Sequence, residues 1–223
     1  MRQLKALITG FEPYAGRGRN PAMELARGID GAEIAGVTVA GRGLPVRYEG
    51  LRAQVEALIE AERPDVVIGV GLWPGEPMIR LERLAANLAD FEIPDNAGCR
   101  IEDAPLAGNG AAAIAATWPA RRIQEALLAA GIPARLSATA GTFLCNATLY
   151  SGLAALAAKG GRRLCGFMHV PYLPEQVAEL VGDLRREAKL ELGQRADLAS
   201  MELGLMRRAL ELALAACADE LRR

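Results

Sequence analysis

The sequence is short of several things that chemistry often requires. It holds one histidine, His169, in 223 residues, so any step that needs an imidazole must use that side chain. Its four cysteines, Cys99, Cys145, Cys165 and Cys217, never fall in CxxC spacing, which argues against a zinc site and against a disulfide scaffold. No run approaches the ~18 apolar residues of a membrane span, and Ala6-Leu7-Ile8 is too short for a signal-peptide core. A cytoplasmic protein with free thiols is expected. Charge is short of either sign: the formal net charge is −1 and no block of like charges forms a tail. Neither nucleic acid nor an anionic membrane is therefore an expected partner. Linker-like composition shifts, repeats and low-complexity stretches are also missing, so one domain over residues 1–223 is expected. With 51% hydrophobic and 24% charged residues, the chain is of globular type and long enough to bury a substantial core.

What is present is an alternation of strands and helices. Residues 4–9 form a short apolar run ended by Gly10, and Val66-Val67-Ile68-Gly69-Val70 is the most strand-like run in the chain. Asn20-Pro21 starts a helix, an N-cap residue followed by proline at the first helical position. Residues 34–40 and 43–46 read as strand pieces. A helix over 48–62 carries the stripe Leu51, Val55, Leu58 and Ile59. A further helix over 118–130 ends at Gly131, strands follow at 134–139 and 163–168, and the chain is mostly helical from Pro174 onward. The segment 78–91 favours helix by propensity. This pattern predicts an α/β fold: a single-domain three-layer α/β/α sandwich with a twisted, mainly parallel (mixed) central sheet.

Ligands in such folds sit at the carboxyl ends of the strands. The ends here carry Gly10-Phe11-Glu12-Pro13-Tyr14, Gly71-Leu72-Trp73-Pro74, the turn before Cys145, and His169. Cys145 stands in the first turn of a helix expected over 146–159, where exposed N–H groups and the helix dipole favour a thiolate. The residue is either an ordinary buried small side chain or a presented nucleophile. The lone histidine on the same expected edge makes a Cys–His pair plausible.

These residues belong to longer motifs. Leu7-Ile8-Thr9-Gly10-Phe11-Glu12-Pro13-Tyr14 with Asn20-Pro21, Glu82-Arg83-Leu84-Ala85-Ala86-Asn87 with Ile93-Pro94-Asp95-Asn96, Ala140-Gly141-Thr142-Phe143-Leu144-Cys145-Asn146, and Gly166-Phe167-Met168-His169-Val170-Pro171-Tyr172 occur in order along the chain. Together they resemble the pyroglutamyl peptidase I (pyrrolidone-carboxylate peptidase) family of cysteine peptidases over nearly the full length. The resemblance implies Cys145 as nucleophile, His169 as its base and Glu82 as the orienting acid. It implies an apolar slot for a lactam ring formed by Phe11, Tyr14, Leu72, Ile93, Phe143 and Leu144. The substrates it implies are peptides with an N-terminal pyroglutamate, and no metal or organic cofactor. It also places the Glu82 segment in extended structure, against the helical propensity of 78–91.

Three positions depart from the family pattern. Gly71-Leu72-Trp73-Pro74-Gly75-Glu76 stands where the family usually reads Gly-Gln-Ala-X-Gly-Arg, and Glu92 stands where it typically has an arginine. Either these changes redirect lactam recognition and oppose charge development, or Leu72 binds through its backbone while both glutamates face water. The alternatives to a pyroglutamyl peptidase are a relative that cleaves another N-terminal acyl or lactam group and a non-catalytic binding protein on the same scaffold. The loop Gly16-Arg17-Gly18-Arg19-Asn20 is too incomplete for a phosphate cradle. In the last helix, Leu198, Met201, Leu205, Ala209, Leu212 and Ala216 form one apolar stripe, and Leu203, Met206, Leu210, Leu214, Cys217 and Leu221 form another. Two stripes on opposite faces predict that the second meets another part of the chain or another subunit; a homo-oligomer, dimer or tetramer, is expected.

Overall fold

The structure is a computed structural model that describes residues 3–187 and 198–223. The chain opens with β1 (Leu4–Phe11), buried from Ala6 onward, as a strand covered on both faces requires. Asn20 then caps α1 (Pro21–Gly28): its side chain accepts from the Ala22 N–H at 3.0 Å, and Pro21 fills a position whose N–H has no helical acceptor. There follow β2 (Glu33–Ile34), β3 (Val37–Leu44), α2 (Leu51–Glu62), β4 (Val66–Leu72), β5 (Ile79–Glu82), β6 (Leu84–Ala86) and β7 (Ala113–Ala115). The second half holds α3 (Ala120–Ala129), β8 (Ala134–Ser137), α4 (Leu144–Lys159), β9 (Leu164–Val170), α5 (Pro174–Arg186) and α6 (Leu203–Arg222).

Seven strands form one sheet in the order β2-β3-β1-β4-β9-β5-β8, and β6 pairs with β7 separately. β3, β1, β4 and β9 run parallel, whereas β2 and β5 run antiparallel to their neighbours β3 and β9. The mainly parallel, mixed sheet expected from the sequence is what forms. Segment 78–91 is extended over β5 and β6, as the resemblance implied and against propensity. Its residues Ile79, Arg80, Leu81 and Glu82 are all buried between β9 and β8, so strand pairing outweighs a helix preference of a few tenths of a kcal/mol per residue.

One expectation is corrected by the sheet direction. β8 runs parallel to β5 and therefore antiparallel to β9, so its carboxyl end points away from the edge where β4 and β9 end. The chain after β8 must turn back over the sheet to deliver Cys145. Cys145 and His169 therefore do not share an edge by strand order alone.

Alternating side chains divide between two cores. On one face Ile8, Ile68, Val70, Met168 and Val170 pack with α1, α3 and α6; on the other Leu7, Val67, Cys165 and Phe167 pack with α2 and α4. α4 is buried over most of its circumference, with Asn146, Thr148, Tyr150 and Ser151 covered along with its leucines. α6 uses both of its apolar stripes within this chain. Met206, Leu210, Leu214 and Cys217 are buried with Ala209 and Ala216, and Leu205 and Leu212 pack against the same core. The second stripe thus needs no other subunit, which removes the physical reason given for an oligomer. Residues 188–197, part of the expected C-terminal helical region, lie outside the described residues. Among those described, no helix is long and apolar enough to cross a membrane.

Candidate active site

The site is laid out by register. On the α4 side of the sheet, His169 of β9 lies between Gly71 of β4 and Arg80 of β5, and one step down Phe167 lies between Gly69 and Glu82. Cross-strand neighbours point to the same face. Glycine at 69 and 71 leaves a groove on β4 there. A Cβ at 69 would fall 2.3 Å from the Phe167 ring, and one at 71 would fall 2.7 Å from Cys145 Sγ. The groove holds an aromatic ring and, beside it, the thiol. Cys145 Sγ therefore rests over Gly71, the strand neighbour of His169. Pairing in the sheet and the approach of α4 bring together the two residues that strand direction had separated.

α4 is held in that position by polar contacts as well as packing. Asn146, fully buried, accepts from the Ala86 N–H at 2.9 Å and donates to the carbonyls of Ala86 and Leu88, both at 2.9 Å. It ties the residue after the cysteine to β6. Cys145 is the second residue of α4, among first-turn N–H groups that have no intrahelical acceptor.

Glu82 and His169 are both essentially inaccessible to solvent, and His169 Nδ1 lies 2.9 Å from Glu82 Oε1. The contact leaves Nε2 as the ring nitrogen free to serve the thiol. The same Oε1 accepts from Arg80 Nε at 3.1 Å, while Oε2 has no hydrogen-bond partner among the described residues. Trp118, from the other face, donates its indole N–H to the Glu82 carbonyl at 2.9 Å and fixes the strand beneath the carboxylate.

Arg80 is the hub of a wider network. Its Nη2 donates to Ser137 Oγ and the Thr139 carbonyl, both at 2.9 Å, and its Nη1 reaches Glu76 Oε2 at 3.5 Å. Glu76 in turn holds Arg135 through two bonds of 3.0 and 2.6 Å. Glu76 thus neither faces water nor aims an uncompensated charge at the thiol: it is buried between two arginines. Glu92 is exposed, and its carbonyl, not its carboxylate, takes a bond from Arg100.

Burial pushes the Cys145 thiol up to about 12, with the Glu82 charge acting in the same direction. Burial also lowers His169, opposed by the hydrogen bond and charge of Glu82 and reinforced by the Arg80 cation. Both shifts oppose charge separation between the thiol and the ring. The N-terminus of α4 acts the other way and favours the thiolate.

Beside the thiol opens a small cleft, partly open to solvent, lined by Phe11, Tyr14, Asn20, Val46, Leu72, Phe143, Leu144 and Cys145. Five of the six residues expected around the slot are among these. The sixth, Ile93, is 43% exposed and does not line it. Val46 and Asn20 stand there instead, and Phe143 is braced by an edge-on contact with Phe91 at 4.7 Å. Asn20 spends its amide on the α1 cap and on the Glu12 carbonyl. Tyr14 is pushed up chiefly by burial and then by the neighbouring Cys145, so it remains a phenol.

This geometry has counterparts. A sequence profile described as pyroglutamyl peptidase matches residues 4–196. The chain belongs to the pyroglutamyl peptidase family. It is 42% identical over 179 residues to the pyrrolidone-carboxylate peptidase of Pyrococcus furiosus, covering 80% of this chain and 86% of that one. It is 45% identical over 170 residues to the enzyme of the same name from Chromobacterium violaceum, covering 76% and 79%. A solved structure of a mutant pyrrolidone carboxyl peptidase from Pyrococcus furiosus superposes with a TM-score of 0.90 at 38% identity, covering 98% of this chain and 100% of that one. The pyrrolidone carboxyl peptidase from Thermococcus litoralis gives 0.90 at 36%, covering 98% and 95%. Family membership makes this a cysteine-type peptidase, and the divergent-acyl and non-catalytic alternatives are not favoured.

The sequence motifs named Cys145, His169 and Glu82, and the sequence placed Gly71 and Asn146 nearby without giving them a role; it missed Gly69, Arg80 and Trp118. The period-two spacing of Gly69 and Gly71 in an otherwise β-branched run was the available signal for close approach on one face. Arg80 carried none, since an arginine two residues before a glutamate is ordinary on any surface.

Proposed function

We propose that Cys145, His169 and Glu82 carry out hydrolysis of the bond after an N-terminal pyroglutamyl residue, within a single domain spanning the chain. The observation that carries the reading is the buried Glu82–His169 hydrogen bond of 2.9 Å next to a thiol seated over Gly71. Glu82 fixes the ring with its proton on Nδ1, so that Nε2 accepts the thiol proton as Sγ attacks the pyroglutamyl carbonyl. The imidazolium formed is stabilised by Glu82. The N–H of Cys145, at the start of α4, donates to the developing oxyanion. Collapse breaks the C–N bond, and Nε2–H protonates the leaving amine. Water, deprotonated by the same nitrogen, then attacks the thioester, releasing pyroglutamate and restoring the thiol.

The lactam ring occupies the cleft between Phe11, Tyr14, Leu72, Phe143 and Leu144. Leu72 supplies apolar wall, so the polar edge of the lactam is read by the Tyr14 phenol and by main-chain groups. The cytoplasm is the compartment proposed, in keeping with four cysteines that are all free thiols. An assembly of like chains is part of the proposal too. Its support is the exposed apolar surface of Ile93 and Leu128, and a monomeric mass by light scattering at micromolar concentration would refute it.

The test is release of a fluorophore from a pyroglutamyl amide by the wild type and by Cys145→Ala. Turnover that the substitution abolishes is expected. Turnover that survives it, or a folded wild type that releases nothing, would overturn the assignment.

A further inference from the structure

We propose that Trp73 forms the subsite for the residue that leaves, and that the protein favours substrates whose second residue carries an aromatic or large apolar side chain. The inference rests on the proposed peptidase reaction and adds a specificity that the family assignment does not contain. The acyl cleft lies on the Phe11, Tyr14 and Leu144 side of Cys145, and neither Trp73 nor His169 lines it. His169 must hand its proton to the leaving nitrogen, so the leaving residue has to pass along the His169 side of the thiol. The aromatic surface on that side is Trp73.

Its position is fixed from several directions. Trp73 follows Gly71 on the same face at the end of β4, and its N–H donates to the Val170 carbonyl at 2.9 Å. Its ring lies 4.8 Å from the imidazole of His169, nearly perpendicular to it. The far edge of the indole reaches the turn before the nucleophile, where a Cβ on Gly141 would meet Cη2 and Cζ3 at 3.4 Å. The Arg80 guanidinium sits 3.7 Å over the ring and clamps it. Yet Trp73 is only partly buried. A large, rigid, half-covered indole beside the group that protonates the leaving amine is a ready wall for an apolar side chain. A glycine or alanine in that place would leave it wet.

The experiment compares kcat/KM for pyroglutamyl-Phe, -Leu, -Ala and -Gly amides with the wild type, Trp73→Phe and Trp73→Ala. The wild type is expected to favour the Phe over the Gly substrate by about tenfold, the scale of one aromatic contact together with the apolar area it covers. Trp73→Phe should keep most of that ratio, and Trp73→Ala should bring it close to one. A flat series for the wild type would overturn the proposal without recourse to any variant. So would an equal loss on all four substrates in Trp73→Ala, because a residue that only shields His169 from water acts on every substrate alike. Failure of the folded wild type to cleave any of the four would bring down the peptidase reading, and this inference with it.

Discussion

Gly71 gives the sharpest test of the geometry. Replacing it with alanine puts a methyl group 2.7 Å from Cys145 Sγ and 2.9 and 3.0 Å from two atoms of the Phe167 ring. Unstrained contacts of this kind lie at about 3.5–4.0 Å, so sulfur and ring must each retreat by roughly 1 Å or the backbone must move. Overpacking of that size costs about 1–3 kcal/mol of stability. The kinetic effect is larger in proportion, since a displacement of about 1 Å of a reacting atom costs on the order of 100-fold in rate. Thermal unfolding and fluorophore release from a pyroglutamyl amide measure the two. A double variant sharpens the reading: Cys145→Ala removes the sulfur but not the ring, so the cost of Gly71→Ala should fall by about 0.5–3 kcal/mol in that background. A folded Gly71→Ala protein with wild-type turnover, or a cycle with no coupling, would show that the thiol does not rest over residue 71.

Three further outcomes follow from the charges and the buried thiols. Arg80→Met removes the cation that opposes the imidazolium, so the acid limb of kcat/KM, which the wild type should show below the ordinary histidine value of 6.5, moves to higher pH; an unmoved limb would assign Arg80 to packing alone. Because burial and the Glu82 charge push the Cys145 thiol up, iodoacetamide should label it at pH 7 no faster than it labels free cysteine, with the rate climbing as pH rises; labelling tens of times faster than free cysteine at acid pH would show that the helix N-terminus and His169 outweigh burial. Cys145, Cys165 and Cys217 are each pushed from 9.0 to about 12, mainly by burial. The unfolded chain therefore loses these protons first, and the stability they contribute is complete below pH 9 and lost as pH rises toward 12. A Tm independent of pH over that window would contradict the burial of these thiols.

Local sequence carried a good deal of this. The run Val66-Val67-Ile68-Gly69-Val70, the Asn20-Pro21 cap and the stripe on α2 each depend on neighbours a few residues away, and each produced the element expected. Where non-local pairing competed with local preference, the sequence misled. Segment 78–91 has helical propensity and becomes strand, because β9 and β8 offer it two ladders. The second stripe of α6 left open whether another part of the chain or another subunit meets it, and the core of this chain does. Glu76 read either as a charge opposing catalysis or as a side chain facing water, and it is neither: Arg80 and Arg135, the latter 59 residues further along, hold it.

The reactive groups were legible in the chain alone: one histidine, a cysteine at a helix start, and the motifs that place both in a peptidase family. Their readiness to react was settled only in three dimensions. Sheet order set Glu82 diagonally across from His169, the glycine groove admitted the sulfur beside it, and packing pushed the thiol up and the imidazole down. The physical reason is one of range. Propensity and capping act within a turn or two of chain, whereas desolvation and hydrogen-bond distance depend on strands brought together from positions far apart in sequence.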